Sequence, residues 1–242
     1  MDGATLLATS LSKRYGSAEA LRLDRLGVAP GERVGLVGNN GTGKTTLLRL
    51  ALDLVAPTTG HVEIDGVRVG GPDLSWKHRV GAFLDAGFLV DFLRPQEYLR
   101  LVGGAYGLSG SEVDARVDRF RPFLGQALEG GRFIRDLSLG NAGKVGIVGA
   151  MLPEPGLIVL DEPFANLDPG ARIALERLLR SESETRGATV LVSSHDLDHV
   201  VDVCTRVLVL ADGRLVRDTP STPETLAELR AFFAAGGGPE AA

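Results

Sequence analysis

The chain has 242 residues, 44% of them hydrophobic, and a net charge of −5 from 26 basic and 31 acidic side chains. That is enough apolar material for one or two packed domains, and no basic run is long enough to suggest a nucleic-acid partner. A single cysteine, Cys204, excludes an intrachain disulfide and points to a reducing compartment.

The opening "MDGATLLATS" lacks the basic start and long apolar core of a signal peptide. β-type runs follow at 5–9, at 21–29 with alternating apolar positions, and at 33–38. The third run enters a glycine loop, and 43–54 reads as a leucine-rich helix. Residues 60–69 form a hairpin candidate around Asp65-Gly66, and 80–84 is another strand. From 86 to 152 the pattern turns helical, with helices predicted at 95–106, 111–120 (capped by Ser111) and 142–152. Strands return at 157–162, 189–195 and 206–218, and helices at 169–183 and 196–203 separate the first two returns as parallel βαβ units require. A last helix is expected in "PETLAELRAFF", then a flexible tail at 235–242. The longest apolar stretches, such as "VGIVGAML", fall far short of the ~18 residues needed to span a bilayer. The expectation is a cytoplasmic α/β protein that relies on another chain for any membrane part.

Two segments carry chemistry. Gly38, Gly43, Lys44 and Thr45 satisfy the spacing G-x-x-x-x-G-K-[ST] between a strand and a helix. Glycines let backbone N–H groups curl onto phosphate oxygens, and the helix N-terminus adds its positive end. Lys44 is suited to the terminal phosphates and the Thr45 hydroxyl to Mg²⁺. Downstream, "LIVLDE" is an apolar strand ending in two acids. Alone, such a run often just ends a strand in solvent. After a phosphate loop, Asp161 reads as a Mg²⁺ partner acting through water, and Glu162 as the group that polarises the attacking water.

Over residues 4 to about 220 the chain resembles the ATP-binding subunit of an ATP-binding-cassette (ABC) transporter. Besides the two motifs above, "LSLGN" at 137–141 resembles the family signature LSGGQ, "ANLD" at 165–168 the D-loop, and "SSH" at 193–195 the end of the switch-histidine strand. Tyr15 stands where the family places an aromatic that stacks on adenine. The resemblance implies a P-loop NTPase core with a mostly parallel sheet, an N-terminal antiparallel β subdomain and an α-helical insert. These would form one domain over 1–234, with core 1–85 and 153–220, insert 86–152 and C-terminal helix 223–234. It implies ATP and Mg²⁺ as ligands, with Gly38, Asn39, Asn40, Gly41, Thr42, Gly43, Lys44, Thr45 and Thr46 around the phosphates. Two cassettes would close head to tail, as a homodimer or beside a homologous cassette. Ser138, Gly140 and Asp168 would then meet the nucleotide across the interface, and His195 would contact the γ-phosphate and help hold Glu162. The partner would be a separate transmembrane permease, placing the chain at the inner face of the membrane.

Departures are visible. Gap-free alignment puts Asp85 where the family carries the Q-loop Gln near Mg²⁺, because Gln96 lies at the start of the next helix. In the signature, Leu139 and Asn141 replace Gly and Gln. The signature continues as "NAGKVGIVGAML" rather than the Arg-rich helix of importers, and the chain ends soon after the core, as in ABC-2 type exporters. The alternative is a non-transport cassette that regulates a membrane or cell-division complex. A small P-loop GTPase or kinase has no reason to carry the signature or the switch histidine.

Overall fold

The computed structural model describes residues 2–234; the tail expected at 235–242 lies outside them. Among the described residues ten strands form one continuous sheet, ordered β5-β4-β1-β2-β10-β9-β3-β8-β7-β6. At one end β1 (Leu6–Tyr15), β2 (Ala18–Val28), β4 (Thr59–Ile64) and β5 (Val67–Arg68) pair antiparallel. At the other, β3 (Arg33–Val37), β6 (Val80–Phe83), β7 (Leu157–Leu160), β8 (Thr189–Ser194) and β9 (Arg206–Ala211) run parallel. β10 (Arg214–Pro220) joins the two, antiparallel to β9 and bridged to β2.

The parallel strands read as unbroken apolar runs because both of their faces are covered. Successive side chains alternate between two cores. Val34, Leu36, Leu157, Val159, Leu191 and Leu208 face one, together with α1 (Lys44–Ala51). Ile158, Leu160, Val190, Val192, Val207 and Val209 face the other. The second core is covered by α4 (Leu139–Met151), α5 (Pro169–Arg186), α6 (Leu197–Val203) and α7 (Pro223–Ala234). Between β6 and β7 the chain leaves the sheet as α2 (Pro95–Ala105), α3 (Gly110–Leu124) and α4. Arg119 of α3 ties this helical segment to the rest through Glu154 (3.0 Å) and the buried Glu182 (3.3 Å).

Several expected boundaries change. The run 206–218 is a hairpin, β9–β10, turned at Asp212 (φ 48°) and Gly213 (φ 73°), as Asp65-Gly66 turns β4 into β5. The cap of α3 is Ser109, not Ser111: Ser109 accepts from the Glu112 amide while Glu112 reaches back to the Ser109 amide, a reciprocal capping box. α4 starts at Leu139 rather than 142 because Ser138 caps it, accepting from the Asn141 amide at 3.3 Å. β1 extends past Thr9 because Ser10 (φ 47°) forms a bulge against β4 that breaks the apolar alternation.

Candidate nucleotide site

The loops that follow β3, β6, β7 and β8 leave the sheet at one edge, the carboxyl ends of its parallel strands, where α/β sheets bind their ligands. β3 runs into the loop 38–43. Gly43 (φ 102°) is required where the loop becomes α1, because a side chain there would also stand 2.7 Å from the Ala20 carbonyl. Thr42 braces the loop by donating to the Asn39 carbonyl (2.9 Å), while Asn39, Asn40 and Gly41 are exposed. α1 has neither a capping side chain nor an acid in its first turn, whereas Ser109, Ser138 and Asp168 cap α3, α4 and α5. Its N–H groups and its dipole therefore stay free for an anion. Thr46 sits in that first turn, half-buried.

Lys44 is buried, and its Nζ donates to the carbonyls of Gly38 (2.6 Å) and Asn39 (3.1 Å). It also lies 3.7 Å from Glu162 Oε1. β8 separates β3 from β7, yet Thr45 and Asp161 meet past its end: Thr45 Oγ1 donates to Asp161 Oδ2 at 2.7 Å. Asp161 is 7% exposed and takes a second hydrogen bond on Oδ1 from Ser193 Oγ. Glu162 adopts φ 47°, a left-handed conformation uncommon for a side-chain-bearing residue. Its amide donates to Ser193 Oγ (3.0 Å), and its Oε2 contacts His195 Nδ1 (2.8 Å) and accepts from the His195 amide (3.2 Å). Lys44, Glu162 and His195 thus form one line of contacts. The completely buried Ser193 serves as a hinge pin between the two acids; its only sequence signal is its place two residues before His195.

Asp85 follows β6 and lines the same cleft as Asp161, Glu162 and Asn166. Its Oδ1 accepts from the Gly87 amide at 2.5 Å, fixing the turn Ala86–Phe88. Gln96 points elsewhere and donates to the Leu128 carbonyl (3.2 Å). Among the described residues no three His, Cys, Asp or Glu side chains converge into a metal cage.

A family profile described as "ABC transporter" matches residues 21–165. A putative ABC transporter ATP-binding protein of Streptomyces coelicolor is 36% identical, over 80% of this chain and 74% of its own. The Nod factor export ATP-binding protein I of Cupriavidus metallidurans is 30% identical, over 89% and 71%. A solved dimeric ATP-binding cassette, in a post-hydrolysis state bound to ADP and Pi, superposes with TM-score 0.80 at 25% identity, covering 90% of this chain and 99% of that one.

The chain belongs to the ABC transporter family. It is an ABC ATPase. The remaining positions singled out from the family pattern lie on two surfaces. Tyr15 ends β1, about half exposed, with Lys13 Nζ 5.0 Å from its ring centroid, on the hairpin whose Ala20 touches Gly43. The signature stands at the N-terminus of α4. Leu139 projects outward, 68% exposed, so its side chain meets no obstacle. A Cβ on Gly140 would stand 2.2 Å from the Asn166 carbonyl, so glycine is needed there. Asp168 caps α5 by accepting from the Ala171 amide at 2.9 Å, and Lys144 of α4 lies 3.5 Å away. The Ala171 N–H and the Lys144 charge hold its carboxyl below the usual range. Among the described residues no helix is long and apolar enough to cross a membrane.

Proposed function

We propose that this chain binds Mg-ATP and hydrolyses it as the ATP-binding subunit of an exporter, closing head to tail on a second cassette and driving a separate membrane-spanning partner. The observation that carries this reading is the convergence of Lys44, Thr45, Asp161, Glu162 and His195 at one sheet edge, beside an uncapped helix N-terminus.

The loop 38–43 and the amides of α1 hold the phosphate chain, Lys44 neutralises the terminal phosphates, and Tyr15 stacks on the adenine. Thr45 Oγ1 and Asp161 Oδ2 supply one hydroxyl and one carboxylate. That set fits Mg²⁺, which keeps several waters and takes phosphate oxygens rather than an all-protein cage. Bound there, Mg²⁺ would offset charge on the phosphate oxygens, and Asp85 reaches its surroundings from the turn that lines the same cleft. Glu162 orients the attacking water and takes its proton as the new bond to the γ-phosphorus forms and the bond to the β–γ bridging oxygen breaks. His195, in contact with Glu162, holds that carboxylate in line. Ser138, Gly140 and Asp168 face the nucleotide of the second cassette; the Ser138 oxygen accepts within its own cap, which leaves its proton free to donate.

A groove of about 350 Å³ beside the Asp85 turn supports the site of partner contact. Leu54, Trp76, Phe88 and Tyr106 line it, and Phe83 and Leu84 line both this groove and the nucleotide cleft. A segment of the membrane partner seated there would touch Phe83 and Leu84, which also line the cleft that holds Asp161 and Glu162. Export is supported by the apolar helix after the signature and by the export protein among the relatives.

Glu162→Gln tests the reading. Turnover is expected to fall roughly 10²–10⁴-fold with nucleotide affinity retained. An ATP-loaded dimer should accumulate in size-exclusion chromatography, because the bridging γ-phosphates persist. A variant that hydrolyses ATP at the wild-type rate, or stays monomeric at high concentration with ATP, refutes it.

A further inference from the structure

His195 is 61% exposed, and among the described residues its ring makes one side-chain polar contact, to Glu162. Something else must fix the segment that carries it. A second cluster joins the same two segments further along the chain. The ring of His199, on α6, stacks on Phe164 with centroids 4.9 Å apart and an interplanar angle of 24°. Its Nδ1 is 3.4 Å from Glu176 Oε1, and its Nε2 is 3.3 Å from Arg172 Nη1. Asp196 Oδ2, 3.6 Å from Nε2, is the other charged group facing the ring. Arg172 also donates from Nε to the Leu167 carbonyl at 3.0 Å. The guanidinium can only donate and a carboxylate can only accept, so the ring bridges a donor at its Nε2 side and an acceptor at its Nδ1 side.

Phe164 and Leu167 belong to the loop that begins at Glu162; His199 is four residues beyond His195, on the helix that Asp196 caps. The two loops are therefore joined twice, by Glu162–His195 at the phosphate side and by the Phe164, Arg172 and His199 contacts further along the chain. We propose that Arg172 and His199 are positioning residues, a clamp that makes the loop 162–168 and the segment 195–199 move as one body and so keeps His195 against Glu162. This rests on the hydrolytic roles proposed for Glu162 and His195.

The test is steady-state ATPase kinetics with nucleotide affinity and thermal melting measured alongside. Arg172→Ala and His199→Ala are expected to lower kcat about 10-fold, with KM and ATP affinity within about twofold, because geometry at the reacting centre is lost and binding is not. The double variant should be no slower than either single one, since both remove the same clamp. His199→Gln should restore most of kcat: its amide oxygen accepts from Arg172 and its amide N–H₂ donates to Glu176. Where an alanine variant does not fold, Arg172→Lys is read in its place. It keeps the charge but cannot reach Leu167 and His199 at once, and should show the same loss of kcat. Unchanged kcat in folded variants overturns the clamp. So does a fall in kcat that only follows a lower melting temperature, or a failure of His199→Gln to restore rate. Glu162→Gln is run as the control: if it retains turnover, the hydrolytic reading fails, whereas an inactive Glu162→Gln beside unaffected Arg172 variants sinks the clamp alone.

Discussion

Ser193→Ala isolates the interaction that holds the two acids in place. Ser193 is fully buried; its hydroxyl donates to the carboxylate of Asp161 and accepts from the amide of Glu162 at 3.0 Å. Alanine removes a hydrogen bond to a buried charge, worth about 1.5–3 kcal/mol, and leaves an N–H without its acceptor, a further loss of about 1–3 kcal/mol. Water reaches the mouth of the cleft and recovers part of the second term, so we expect about 3 kcal/mol in total. For a chain of this size that corresponds to a melting temperature lower by roughly 6–12 °C. Turnover should fall as well, because Glu162 is held at φ 47° partly through this bond. The assay is a thermal melt without nucleotide, paired with ATPase rates measured well below the melt. A variant that melts within about 2 °C of the wild type and hydrolyses ATP normally would show that the hydroxyl holds neither acid.

Gly140→Ala should destabilise by about 1–3 kcal/mol, because the new methyl meets the Asn166 carbonyl, while Gly143→Ala, with nothing within 4 Å of its Cβ, should gain up to about 1 kcal/mol in the same helix; equal effects in urea titrations would contradict the packing argument. Asp85→Ala should change the Mg²⁺ dependence of turnover while ATP binding persists, and Asp85→Gln should retain or raise turnover; silence of both across a Mg²⁺ titration leaves Asp85 only its turn-capping bond to Gly87. Burial pushes the Cys204 thiol up to about 12, so the native protein at pH 8 should resist thiol reagents and react only as it unfolds; rapid labelling of the folded chain would refute this.

What could be read from the sequence depended on how far apart the interacting residues lie along the chain. The phosphate loop is a local object: its glycines, lysine and threonine stand within eight consecutive positions, and their spacing states the loop geometry. Asp161 and Glu162 were legible because an apolar strand brings whatever follows it to the sheet edge. The Ser109–Glu112 capping box was also local, and the S-x-x-E spacing would have found it; Ser111 drew attention by standing next to the apolar series. The β9–β10 turn was masked because Asp212-Gly213 interrupts a run that is apolar on both sides. Ser193 could be read only as part of the strand end "SSH", not as the link between the two acids, and the Arg172–His199 pair could not be read at all. Ser193 matters because β8 lies between β3 and β7 in the sheet, and strand order is a tertiary fact. Arg172 and His199, 27 residues apart in sequence, meet from two different helices.

The signature departure takes its meaning from the same loop. Leu139 occupies a position with open space around it, so the family's glycine there answers no steric demand within this chain. Gly140 does, because it is pressed against Asn166, and Lys144 one turn further along α4 reaches Asp168. The loop 162–168 is therefore gripped from both sides, by α4 through Gly140 and Lys144, and on the other side by Arg172 of α5 and His199 of α6. On the proposed reading the outer edge of this strip, Ser138 to Asp168, faces the second cassette, and its inner edge carries Glu162. A displacement of the signature helix by the opposing nucleotide then cannot leave Glu162 and His195 unmoved. Close packing passes displacement on, because neither a carbonyl lying against a glycine nor a stacked ring has slack to absorb it. Hydrolysis at one site and the fit of the partner cassette are in that case two readings of one rigid element.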